Sequence, residues 1–207
     1  MKTIYFLSLL GVGMLIAACD SSNYDSKPDY ESQSDSYLPL QVGNYWNFVP
    51  TGVSNSDYNV HREITTKTTL QGHEYYLLVS TSSGSDYLYK DSLYLRVDNN
   101  GYVYSRRPNS TREDNYFRLK GDDGDSWTYA IDDHDEVTMT LSNVDVEING
   151  TTIKACKAYY YNVDNWADEE YTRTLAKGIG FVREYSNAWG MGEILKSARI
   201  NGTKIEF

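Results

Sequence analysis

Three Asn-Gly pairs, Asn100-Gly101, Asn149-Gly150 and Asn201-Gly202, stand between stretches in which apolar and polar residues alternate. A type I′ turn needs positive φ at both central positions, which Asn tolerates and Gly accepts freely. Asn-Gly between alternating runs therefore predicts a tight hairpin. The alternation is plain from 58 to 70: Tyr58, Val60, Arg62, Ile64, Thr66, Thr68 and Leu70 fall on one side, and Asn59, His61, Glu63, Thr65, Lys67 and Thr69 on the other. Val137, Met139 and Leu141 repeat the pattern, as do Val144, Val146 and Ile148.

Registers follow from the turns. A two-residue loop at 149–150 sets Ile148 opposite Thr151, Val146 opposite Ile153 and Asp145 opposite Lys154, the kind of pairing that stabilises a ladder. It also points Cys156 to the face opposite Val144, Val146 and Ile148. At 201–202 the same rule collects Ile194, Ala198, Ile200, Ile205 and Phe207 on one face. At 100–101 it groups Leu93, Leu95 and Val97 with Tyr102 and Tyr104.

No long stretch shows helical periodicity, and twenty tyrosines supply a residue type suited to a pleated, half-buried surface. The expected fold is all-β with few or no helices. It is antiparallel and built from hairpins, as a barrel or half-barrel, with a two-sheet β-sandwich as the alternative. About 170 residues, 37–207, suit a single domain.

Ahead of that domain the sequence describes an address. Residues 1–18 carry one early lysine, an apolar run and a small-residue exit, the parts of a secretory signal peptide. Ile16-Ala17-Ala18-Cys19 resembles the lipobox of bacterial lipoproteins. That resemblance implies cleavage before Cys19 and acylation of the cysteine, with several acyl chains making a lasting membrane anchor. Residues 19–36 follow as an acidic, serine-rich tether with no aliphatic residue, a composition that cannot offset the entropy of ordering. The expected location is the cell envelope at the outer membrane, facing either the periplasm or the surface. After cleavage Cys156 is the remaining cysteine, so no disulfide staples the domain and its stability rests on a core.

Two further stretches carry a second resemblance. Leu38-Pro39-Leu40-Gln41-Val42-Gly43-Asn44-Tyr45-Trp46 opens the domain, and Ala176-Lys177-Gly178-Ile179-Gly180-Phe181-Val182 stands near its end. Together they resemble the bookends of uncharacterised β-rich lipoproteins frequent in Bacteroidetes. The resemblance implies one β domain and carries no activity.

Candidate sites are few. Gly178-Ile179-Gly180 lacks the third glycine and the helix of a dinucleotide loop, so the glycines read as room for an aromatic ring or a bend. The stretch 121–136 holds seven carboxylates, but without the order of a calcium loop it reads as a solvated connection. His61, His73 and His134 share no metal-ligand spacing, and Cys156 reads as an inert thiol. No catalytic constellation, metal site or cofactor is expected. Trp46, Trp127, Trp166 and Trp189 are the possible binding aromatics, since flat rings with a polar handle suit sugars and peptides. A net charge of −10 argues against nucleic acid.

The function expected is that of a non-enzymatic binding or structural module, attached to the membrane through Cys19. Its partner would be a glycan, a peptide or another envelope protein. Two alternatives stand beside it: a carrier of a lipid or other hydrophobic ligand in a half-barrel cavity, and a glycan or peptide hydrolase built on clustered carboxylates.

Overall fold

The computed structural model describes residues 35–52, 58–84, 88–131, 135–164 and 166–207. Ile16, Ala17, Ala18 and Cys19, read from the sequence as a lipobox and its lipid-attachment site, lie outside them, as do His134 and most of the segment read as a tether. The described residues form strands and no helix. The first six are β1 (Tyr45–Thr51), β2 (Asn59–Leu70), β3 (His73–Ser83), β4 (Leu88–Val97), β5 (Tyr102–Arg106) and β6 (Asp114–Arg118). Then come β7 (Ser126–Ala130), β8 (Glu136–Ile148), β9 (Thr151–Val163) and β10 (Tyr171–Ala176). The last are β11 (Gly180–Ser186), β12 (Met191–Ile200) and the short β13 (Thr203–Glu206).

Sequence neighbours pair antiparallel from β1 to β6 and again from β7 to β12, and β1 pairs with β12. Twelve strands thus roll into a nearly closed antiparallel barrel, the first of the two architectures expected. β13 adds to the end of β12. The seam runs between β6 and β7, where side chains replace a ladder. Trp127 Nε1 donates to the Asn115 carbonyl at 3.2 Å, the Arg118 guanidinium lies 4.5 Å from the Trp127 ring centre, and Arg112 donates to the carbonyl of Ile131. Twelve strands enclose more space than the roughly eight whose side chains alone fill a barrel. Large rings take up the volume: Trp46 meets Phe181 edge-on at 5.3 Å, and Phe117 meets Tyr159 at 4.5 Å.

Two of the three Asn-Gly turns form as expected. Asn149 and Gly150 have φ of 47° and 79°, Asn201 and Gly202 52° and 84°, and the flanking pairs are Ile148 with Thr151 and Ile200 with Thr203. The third differs. At 100–101 only Gly101 takes positive φ, and Val97 pairs with Val103. The Asp98 carboxylate explains it, accepting the backbone N–H groups of Asn100 and Tyr102 at 2.9 Å each and so holding a longer loop. Val103 rather than Tyr102 and Tyr104 therefore shares the face of Leu95 and Val97. Gln71-Gly72 makes a further tight turn of positive φ without an asparagine.

Beyond the turns, bulges redirect the faces. Thr65 is an extra residue on β2, Val182 on β11 and Lys196 on β12, while β9 gains one between Ile153 and Cys156, where Ala155 has φ 53°. Each insertion moves every side chain beyond it to the other face. Cys156 consequently pairs with Val144 and joins its face, whereas the unbulged register sets it opposite. Asp145 does not pair with Lys154 as expected; its carboxylate accepts the Ala155 N–H at 3.0 Å. On β12 the interior residues become Glu193 and Leu195, not Ile194.

Candidate functional site

The two ends of the barrel differ in construction. At one end the bookend motifs meet. The chain from Ser36 to Asn44 crosses this end, burying Leu38 and Leu40, and Ser36 accepts a hydrogen bond from Gly178 N at 2.8 Å. Ser36, the last residue of the segment read as a tether, is itself buried. Trp46 Nε1 donates to the Ile179 carbonyl at 2.7 Å, and its ring lies flush on Gly180, where a Cβ would come within 2.9 Å of the indole. Gly180 also has φ 91°. The ring for which Gly180 leaves room is Trp46, while Gly178, with φ 74°, serves the turn before β11, and this end is a packed plug.

At the opposite end, the bulges on β11 and β12 turn two carboxylates inward. The extra Val182 puts Glu184, not Arg183, on the interior face, and the extra Lys196 does the same for Glu193. The ladder then sets Arg173, Glu184, Glu193 and Pro50 side by side across β10, β11, β12 and β1. Two acids directly opposite one another repel. Arg173 Nε reaches Glu184 Oε2 at 2.6 Å, and one nitrogen of Arg62, Nη2, reaches both Glu184, at 3.0 Å, and Glu193. The guanidiniums are held in turn by rings. Arg62 sits 4.8 Å from the Phe48 centre, and Arg173 lies 5.2 Å from Tyr116 and 5.3 Å from Tyr171.

This arrangement splits the acids. Burial raises both, but Arg173 and Arg62 outweigh it at Glu184 and hold that carboxyl down at about 2. At Glu193 burial prevails over Arg62, and the neighbouring Glu184 charge adds to it, so this carboxyl is pushed up to about 7. The pair titrates as a unit, with the proton resting on Glu193.

Above the pair opens a cavity of about 590 Å³. Tyr58, Tyr171 and Pro50 contribute its walls, and Trp189, Met191 and the run Asp168–Glu170 its outer lining. A second hollow of about 280 Å³ shares Tyr58, Glu184 and Glu193 and is lined by Arg62, Arg173 and Asp91. The β11–β12 turn that carries Trp189 is fixed in place. Trp189 N donates to Ser186 Oγ at 3.3 Å, Gly190 N to the Ser186 carbonyl at 3.1 Å, and Asn187 N to the Glu170 carbonyl at 2.9 Å.

The four tryptophans singled out in the sequence separate. Trp46 and Trp127 are 0% and 6% exposed and belong to the core and the seam, presenting no ring face to a partner. Trp189 is 62% exposed at the cavity, while Trp166, 49% exposed, stands on the β9–β10 connection and does not line it. Cys156 is fully buried, and its thiol is pushed up to about 11, by burial first and then by Asp145. His61 lies on the outer face against Asn47, 2.7 Å away. In the described part of 121–136, Asp125 accepts from Asp122 N at 2.9 Å and Asp123 accepts from Asn143 N at 2.6 Å. Those carboxylates serve as backbone caps, and no metal-holding cluster occurs among the described residues.

Arg173, Glu184 and Glu193 did not emerge from the sequence as site residues, because bulges decide their faces. One signal was legible: Arg62 falls on the apolar side of β2 between Val60 and Ile64, and a buried guanidinium needs buried carboxylates.

No protein-family model matches the chain, and no curated protein matches it. Among solved structures, one from Bacteroides fragilis, described as an exported protein with a YMCC-like fold, is similar with 11% identity and a TM-score of 0.48, over 83% of this chain and 100% of that one. Another, from Parabacteroides distasonis and described as a lipoprotein, is similar with 13% identity and a TM-score of 0.47, over 79% of this chain and 98% of that one.

Proposed function

We propose that this chain is a lipid-anchored protein of the outer membrane that binds a ligand, without turning it over, in the open end of its barrel. The observation that carries the reading is the contrast between the ends. The tether enters at the plugged end, where Ser36 is bound to Gly178, and the cavity with its fixed aromatic turn lies at the other. An anchor at Cys19 therefore leaves the mouth free to face a partner. A pocket of several hundred Å³ with a few convergent polar groups has the general form of a ligand site.

The carrier reading finds the volume but not the lining, because an acyl chain would lie against Glu184 and Glu193 and leave them desolvated. The hydrolase reading has one observation in its favour: two adjacent carboxyls with protonation pushed apart suit an acid and a base. Against it, Glu184 is held by two guanidiniums, which weakens it as a base or nucleophile.

The test is in two parts on the native, full-length protein. Mass spectrometry should find Cys19 acylated at a new amino terminus. Trp189 emission should then respond to a ligand drawn from glycans, peptides and amines, with no product formed. An unmodified Cys19 overturns the anchor. Turnover that is lost in Glu193→Gln overturns the non-enzymatic reading in favour of the hydrolase.

A further inference from the structure

We infer that the mouth of the barrel takes an organic cation bearing a primary or quaternary ammonium group. This rests on the binding reading above and names the class of ligand. The outer cavity is lined by five acidic side chains, Asp168, Glu169, Glu170, Glu184 and Glu193, and by no lysine or arginine. With the proton on Glu193, Arg62 and Arg173 meet the Glu184 charge from the inner hollow, and the three acids of the run Asp168–Glu170 outnumber the surplus guanidinium. No Lys or Arg among the described residues pairs with Asp168, Glu169 or Glu170, so the outer lining keeps a net negative charge. An anion would meet repulsion there, and a neutral ligand would leave that charge unused.

The rest of the lining suits a cation as well. Tyr58, Tyr185 and Trp189 line the cavity beside Tyr171, whose ring is already stacked on Tyr161, and Met191 adds a polarisable thioether. Ring faces carry negative potential and attract ammonium groups, most strongly at Trp. Trp189 is exposed on a turn whose backbone is held by the Trp189 N and Gly190 N bonds to Ser186, so the main chain that carries the ring needs little ordering when a ligand arrives. A short aliphatic amine also fits the volume, with its methylenes against Pro50 and the rings.

The experiment is calorimetric titration of the full-length protein in a neutral detergent with spermidine and, separately, choline, and with a neutral maltooligosaccharide as the comparison probe. Saturable binding of at least one cation is expected. It should weaken about tenfold in Trp189→Ala and several-fold in Glu169→Gln/Glu170→Gln, with unfolding midpoints unchanged. It should also weaken with added salt, as an exposed charge pair does. Neither cation binding at millimolar concentration overturns the inference, as does binding that both variants leave intact. If the sugar binds instead and Trp189→Ala abolishes it, the mouth is a ligand site and only the cationic class is wrong. If Trp189→Ala alters no bound probe, the binding reading falls with it.

Discussion

The plugged end and the open end of this barrel are made from the same strands, β1, β11 and β12, yet they are stabilised in opposite ways. At the plug, Trp46 closes on Gly180 and Phe181, with its one polar atom satisfied by the Ile179 carbonyl. At the mouth, the interior row is Arg173, Glu184 and Glu193, ionic and only partly enclosed. Packing of the first kind contributes stability and leaves no space. The second kind contributes little net stability, because desolvation cancels much of the attraction, but it leaves oriented charges beside a cavity. A stable barrel with a chemically active rim follows from placing the two at opposite ends.

The largest effect of a single substitution is expected at the plug. Trp46→Ala removes a fully buried ring and should cost about 4 kcal/mol in urea unfolding, the range for burying large aromatics. A loss under about 1 kcal/mol would show that the plug does not hold the barrel closed.

A smaller effect is expected at the mouth. Glu184→Gln leaves Arg173 without its carboxylate and Arg62 with only Glu193, and should cost about 2 kcal/mol. The figure is discounted because a quarter of the Glu184 side chain is exposed. Unchanged stability would mean that solvent or the rings already compensate the guanidiniums.

The smallest effect sharpens the contrast through pH. Glu193 is raised to about 7 in the folded protein from an unfolded value near that of free glutamate, so the folded state holds the extra proton between about pH 4.5 and 7. The stability it contributes is complete below that window and is lost as pH rises through it. Glu193→Gln should flatten the decline between pH 5 and 8, by about 1–2 kcal/mol, in paired denaturation curves. A wild-type curve with no decline there would show that Glu193 is ionised throughout.

Much of the fold was legible because its determinants are local. Asn149-Gly150 and Asn201-Gly202 fix turn geometry from two residues, and period-two alternation assigns faces for the next few positions. An aromatic partner for the glycine pair could be expected as a type, though that Gly180 alone meets it, and that it is Trp46, could not. Asn100-Gly101 misled because Asp98, two residues earlier, competes for the same backbone N–H groups. The mouth was hidden for a related reason. Strict alternation groups Phe181 with Arg183, and Ile194 with Ala198, whereas the bulges at Val182 and Lys196 bring Glu184 and Glu193 inside.

The sequence alone determined the β character, the positions of two tight turns and the place of Arg62 on the side of Val60 and Ile64. Those are consequences of φ preference and pleat period, each expressed within a few residues. Tertiary structure alone decided which acids answer Arg62, which tryptophans are buried and which end of the barrel opens. A bulge follows from how two strands fit their neighbours across the sheet, so one extra residue there reassigns faces that no single strand could specify.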